Sequence, residues 1–167
     1  MTEERSGRLQ LYTGCGKGKS TAAFGLAMRA SGCGDRVVII QFRKAQRCGE
    51  HVSAEKLGIE IIQCPAGRTG EKCAESCPLL AAANRLLKDG AADLLILDEL
   101  MAAIKHGCVS EKEARETAAL RHGGTELVLT GRNAPDSLIE QADLITEMKK
   151  IKHYYDTGLP ARRGIEY

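Results

Sequence analysis

Residues 13–21, which read TGCGKGKST, constrain the fold of this chain more than any other stretch. They follow the apolar run 9–12 and precede residues 22–28, whose composition favours a helix. A strand, a glycine-rich turn and a helix in this order form a phosphate-binding loop, because backbone N–H groups and the positive end of the helix dipole then face phosphate oxygens. Lys19 would add a mobile cation, and the Ser20 hydroxyl a ligand for Mg²⁺. The pattern predicts that the loop binds a nucleoside triphosphate.

The loop departs from the common pattern G-x-x-x-x-G-K-[ST] at two positions. Thr13 stands where the first glycine is expected, with Gly14 one residue later, and Lys17 adds a second lysine inside the loop. A flexible glycine turn without a chemical role is the alternative interpretation. The context argues against it, since Gly-Lys-Ser comes directly after a strand and before a helix.

Composition narrows the class of protein. A chain of 167 residues that is 43% hydrophobic and 28% charged is expected to form one globular domain over residues 1–167. It has no apolar run near the ~20 residues that span a bilayer, and its acidic start is unlike a signal peptide. We therefore expect a cytoplasmic protein without a membrane segment. A net charge of +2 gives no electrostatic case for nucleic-acid binding.

Apolar strands alternate with helical segments along the chain. Strands are predicted at 9–12, 36–42, 59–63, 92–99, 126–130 and 143–147, and helices from 22 onward and at 79–88, 110–121 and 135–141. Residues 64–77 and the basic tail 149–167 show no periodicity. The alternation predicts an α/β, P-loop NTPase-type (RecA-like) three-layer fold with a mostly parallel central sheet of about six strands. The ligand site should lie at the carboxyl ends of the strands.

Charged side chains that could contact a ligand occur at the ends of two strands and late in the first helix. Asp98 and Glu99 end an apolar strand, as in a Walker B element, and could hold Mg²⁺ opposite Ser20; a solvated helix start is the alternative. Arg132 follows the fifth strand and could clamp phosphate through its planar donor fork, or be a surface arginine. Arg29 is equally compatible with a ligand contact and a helix-surface charge.

Several blocks together resemble the P-loop family of ATP:corrinoid adenosyltransferases. They are residues 12–14 and 16–19 in the loop, 25–30, Gln41-Phe42, 97–100, Thr130-Gly131-Arg132-Asn133-Ala134-Pro135, 142–148, Lys152-His153 and Gly164-Ile165-Glu166. Many nucleotide-binding proteins share the loop, whereas the Thr-Gly-Arg and Thr-Glu-Met blocks are far more specific.

The resemblance implies a homodimer that binds Mg·ATP (or Mn·ATP) and a corrinoid reduced to Co(I), with a flavin-type reductase supplying the electrons. Cobalt attacks C5′ of the ribose and triphosphate leaves, so the enzyme would be a transferase. Co(I) is already a strong nucleophile, so the enzyme must align cobalt with C5′ and neutralise the leaving group.

The site residues follow from the resemblance and from the loop chemistry. Predicted catalytic residues are Lys19, Lys17 and Glu99. Predicted metal ligands are Ser20, Asp98 and Glu99. Predicted nucleotide contacts are Gly14, Cys15, Gly16, Lys17, Gly18, Lys19, Ser20, Thr21, Arg29 and Arg132.

The chain departs from this family at its cysteines and aromatics. Cys15 stands where relatives carry Asn or Asp, and residues 64–77 hold no aromatic where relatives have corrin-contacting aromatics, including a Trp. That stretch instead carries Cys64, Cys73 and Cys77, with Cys48 upstream. Seven cysteines, an odd number, favour free thiols acting as small apolar groups over a metal or redox site.

Two other functions stay open at this point. One is a P-loop kinase or ATPase that acts on another small molecule and yields ADP. The other is a non-catalytic relative that binds nucleotide or corrinoid without turnover.

Overall fold

A computed structural model describes residues 6–64, 76–121 and 123–167. Its strands are β1 Leu9–Thr13, β2 Val37–Gln41, β3 Glu60–Gln63, β4 Leu94–Asp98, β5 Glu126–Thr130 and β6 Leu144–Glu147. Its helices are α1 Lys19–Gly32, α2 Gly49–Lys56, α3 Pro78–Lys88, α4 Leu100–Lys105, α5 Glu111–Ala119 and α6 Asp136–Ile139, followed by a 3₁₀ turn at Tyr154–Thr157. All six predicted strands are confirmed.

The strands form one sheet in the order β3-β2-β4-β5-β1-β6, and every neighbouring pair is parallel. The strand that leads into the glycine loop, β1, is therefore separated from the strand that ends in Asp98, β4, by β5. Because parallel strands end at the same edge, the loop, the carboxylates and Thr130 all lie at one edge of the sheet. This arrangement confirms the P-loop NTPase-type α/β fold.

Two apolar layers cover the sheet. In β2, Val37 and Ile39 face α1 and α2, whereas Val38 and Ile40 face the layer that contains α3, α4 and α5. This alternation is the two-residue period of a strand buried on both faces. β6 is different, since all four of its residues are exposed at the sheet edge.

Two helices were not predicted from the sequence. The polar helix α2 starts at Cys48, whose side chain and backbone pair with His51 in a capping box, and Cys is not a usual capping residue. Helix α4 starts directly after β4, at Glu99 in the left-handed conformation (φ 59°), without the turn residues that mark most helix starts. The capping box of α5 formed by Ser110 and Glu113 was predicted and is present.

Candidate active site

The lysine at the end of the glycine loop forms hydrogen bonds with the backbone of the loop. Lys19 is the first residue of α1, is only 6% exposed, and donates to the carbonyl oxygens of Gly14 (2.9 Å) and Gly16 (2.8 Å). Burial, followed by the positive charge of Arg132, lowers the pKa of Lys19 below its ordinary value, while Glu99 opposes that shift. Lys19 therefore interacts electrostatically with Arg132 and with the carboxylates of Asp98 and Glu99.

The loop rests on the end of β6. The Gly16 N–H donates to the Met148 carbonyl (2.6 Å), and the Met148 N–H donates to the Thr13 carbonyl (2.8 Å). A Cβ at Gly14, where φ is +98°, would lie 2.5 Å from the Met148 carbonyl oxygen. The displaced glycine of the sequence pattern is therefore required here, because a side chain would collide with the backbone of the Thr-Glu-Met block.

Asp98 lies at the centre of a buried polar network. It is 1% exposed and accepts from Thr130 Oγ1 (2.7 Å) and Gln41 Nε2 (3.1 Å). Gln41 in turn accepts from Gln63 Nε2 (2.9 Å) at the end of β3. The network holds the Asp98 carboxylate in one orientation, because each of its oxygens has a donor.

Glu99 is held by the same network through its backbone. Its N–H donates to Thr130 Oγ1 (3.0 Å), which helps to fix the residue in its left-handed conformation. Such strain in a residue other than glycine is concentrated at functional sites. Burial, together with the nearby Asp98, raises the pKa of Glu99, and Lys19 and Arg132 partly offset this.

The donor set fits a hard divalent cation. Ser20 supplies a hydroxyl in the first turn of α1, and Asp98 and Glu99 supply carboxylates at the end of β4. Mg²⁺ prefers such oxygen ligands. The Lys19 ammonium interacts electrostatically with both carboxylates, so the loop and the carboxylates share one site. These residues could hold Mg²⁺ beside a bound triphosphate.

Lys17 points to the C-terminal tail. Its ammonium donates to Glu166 Oε1 (2.7 Å), Tyr154 Oη (2.7 Å) and the Ile165 carbonyl (3.3 Å). The tail, predicted only as irregular, thus folds back over the loop. In the sequence, Gly164-Ile165-Glu166 was noted only as a family block. Nothing in that block indicated that these residues lie against the loop.

Most of the other predicted residues border one of two cavities beside the loop. Cys15 and Arg132 border a cavity of about 460 Å³ next to the loop, together with Lys150, His153, Tyr155 and Asp156. Ser20 and Thr21 border a second cavity of about 520 Å³, together with Lys44, Glu50, Glu166 and Tyr167. Arg29 is not brought to the loop, because it lies in the last turn of α1, about 15 Å along the helix from Lys19.

Sequence reasoning missed several residues of this site. Gln41 was noted at a strand end and in a family block but not as a partner of Asp98, and Gln63 and Met148 had no assigned role. Thr130 was likewise noted in a family block, and the structure shows it bonded to Asp98 and Glu99. The missed contacts join distant segments, so no local pattern could have revealed them.

The cysteines are dispersed. Cys77 is buried in the apolar core and Cys64 packs against it, which agrees with the small-apolar interpretation for these two. Cys73 lies outside the described residues. Within the described ranges, one trio of potential metal ligands lies within 4.8 Å, formed by Cys48, Glu50 and His51. Glu50 there also pairs with the Lys44 ammonium.

Across the described residues, no helix is both long and apolar enough to traverse a bilayer.

Comparison with known proteins gives one consistent result. Residues 5–167 match the model of the ATP:corrinoid adenosyltransferase BtuR/CobO/CobP family. The chain is 33% identical to corrinoid adenosyltransferase CobA of Salmonella typhimurium, over 100% of this chain and 89% of that protein. It is 34% identical to the corrinoid adenosyltransferase of Pseudomonas aeruginosa (100% and 87% covered) and 35% identical to that of a Sinorhizobium species (99% and 82% covered). The chain therefore belongs to the ATP:corrinoid adenosyltransferase family.

Proposed function

We propose that this protein transfers the adenosyl group of ATP to the Co(I) centre of a corrinoid, forming a Co–C5′ bond and releasing triphosphate. The observation that carries the proposal is the glycine loop with buried Lys19, beside Asp98 and Glu99, in a chain that belongs to this family throughout its length. Since Co(I) attacks without a general base, the protein has to position the reactants and stabilise the triphosphate that leaves.

The chain's own residues suit that task. Loop N–H groups and the N-terminus of α1 would receive phosphate oxygens, and Lys19 would exchange its two loop carbonyls for phosphate. Lys17 and Arg132 would add two further cations near the phosphates. When bound by Ser20 with Asp98 or Glu99, Mg²⁺ would supply further neutralisation of the phosphate charge. Charge that accumulates on the leaving group is thereby stabilised before it departs.

The protein's partners are part of the proposal. We expect a homodimer, because the exposed edge strand β6 and the tail carry apolar side chains such as Leu144, Ile145, Ile151 and Tyr155. A flavin-type reductase would supply electrons to the corrinoid. We place the reaction in the cytoplasm, where ATP is abundant. The family's corrin-contacting aromatics correspond to residues 64–77, most of which lie outside the described residues.

The decisive experiment supplies Mg·ATP and a chemically reduced corrinoid to the purified protein under anaerobic conditions. We expect a light-sensitive Co–C bond and inorganic triphosphate in equal amounts. ADP as the only nucleotide product, with an unchanged corrinoid spectrum after photolysis, would show a kinase or ATPase instead. Tight binding of both substrates without any product would indicate a non-catalytic relative.

A further inference from the structure

Lys17 has no free donor in this structure. A lysine ammonium has three N–H donors. Those of Lys17 contact three protein acceptors, the Glu166 carboxylate, the Tyr154 hydroxyl and the Ile165 carbonyl. A phosphate oxygen can therefore bind Lys17 only by replacing one of these acceptors.

Glu166 is the centre of this contact. Its side chain is 17% exposed and also accepts from the Arg162 backbone N–H (2.7 Å) and from Tyr154 Oη. Hydrogen bonds from Arg162, Lys17 and Tyr154 lower the pKa of Glu166 well below its usual range. Glu166 in turn raises the pKa of Lys17. The pair is therefore charged at neutral pH.

The pair lies where a triphosphate would arrive. Lys17 stands between Gly16 and Gly18 of the loop, and Glu166 borders the same cavity as Ser20 and Thr21. A triphosphate in the loop would bring several negative charges close to this carboxylate. Two anions would then compete for one ammonium, and the carboxylate and the phosphates would also repel each other.

We propose that Glu166 is a positioning residue that acts through Lys17. It holds the ammonium when the loop is empty and takes it back from the triphosphate product. This inference rests on the proposed function, because the competing anion is the leaving group of that reaction. Product release is the step it would serve, since a cationic loop that stabilises triphosphate in the transition state also retains it afterwards.

The test measures the affinity of inorganic triphosphate by calorimetry for the full chain and three variants. Glu166→Gln removes the competing charge while keeping the side-chain shape, so it should bind triphosphate about fivefold more tightly, the size expected for a partly exposed ion pair. Lys17→Met should bind it more weakly. In the Lys17→Met background, adding Glu166→Gln should give a clearly smaller gain in affinity, because the ammonium for which the two anions compete is absent and only the repulsion between carboxylate and phosphates is relieved.

A matched control is Glu116→Gln, which removes the acid of an exposed pair with Lys112 on α5 and should leave the affinity unchanged. Unchanged or weaker binding by Glu166→Gln would overturn the inference. So would an equal gain in the Lys17→Met background, which would indicate repulsion alone. Tighter binding by Lys17→Met itself would show that the tail acts as a steric cover.

These outcomes are separable from the proposed function. Affinity for triphosphate is measured without corrinoid, so an absence of adenosylcorrinoid in the wild-type assay would reject the proposed reaction and leave the comparison of affinities in place. Conversely, normal turnover with unchanged affinities would reject only the role of Glu166. Thermal unfolding of each variant confirms that the chain is folded.

Discussion

Thr130→Val is the most informative single change, because it alters one hydrogen-bonding atom at constant volume. Thr130 is fully buried, donates to Asp98 (2.7 Å) and accepts from the Glu99 N–H (3.0 Å). A hydrogen bond to a charged group contributes about 1.5–3 kcal/mol, and an unsatisfied buried N–H costs about 1 kcal/mol more. We expect a loss of about 2–4 kcal/mol in the free energy of unfolding, or about 4–16 °C in Tm for a chain of this size.

Urea denaturation and thermal unfolding measure the loss, with Thr117→Val as the matched control. Thr117 is equally buried but donates to a neutral acceptor, Asn84 Oδ1 (2.7 Å), so its change should cost only about 0.5–1.5 kcal/mol. Turnover by Thr130→Val should also fall, since the backbone of Glu99 loses its acceptor. If the two variants lost the same stability, the buried Asp98 carboxylate would not depend on Thr130, and the reasoning would be wrong.

Three further predictions concern the loop, the carboxylates and the cysteines. Lys19→Ala should keep the fold and lower turnover by about 100-fold or more, as for other lost transition-state contacts. The control, Lys56→Ala at the exposed end of α2, should behave as wild type. Near-normal activity of Lys19→Ala would remove this lysine from the mechanism. Glu99→Gln should raise Tm at pH 7 while reducing turnover. The raised pKa of Glu99 means that its ionised form destabilises the fold, and this penalty disappears only as the pH falls through that pKa; a lower Tm would contradict it. Elemental analysis should find no stoichiometric zinc or iron, since Lys44 already pairs with Glu50 in the trio with Cys48 and His51; about one metal per chain would refute this.

Local patterns were sufficient for the strands and for the strand-to-helix turn of the glycine loop. The short apolar runs predicted the six strands, and the glycine loop predicted the turn between β1 and α1, because these signals depend on neighbouring residues; α1 begins at Lys19, three residues earlier than predicted. Helix α4 was missed for the opposite reason. It begins at the strained Glu99, a conformation that the buried contacts of Thr130 support and that local propensity disfavours.

By itself, the sequence determined the fold class, the phosphate loop and the family. Each of these was predicted from contiguous residues or from the alternation of apolar and helical segments. Only the tertiary structure decided how the charges are paired. Lys17 meets Glu166 across 149 positions, and Thr130 meets Asp98 across 32. The physical reason is that hydrogen bonds and ion pairs act over a few ångströms in space. Which distant groups come that close is therefore set by the order of the strands in the sheet and by the path of the tail across the loop.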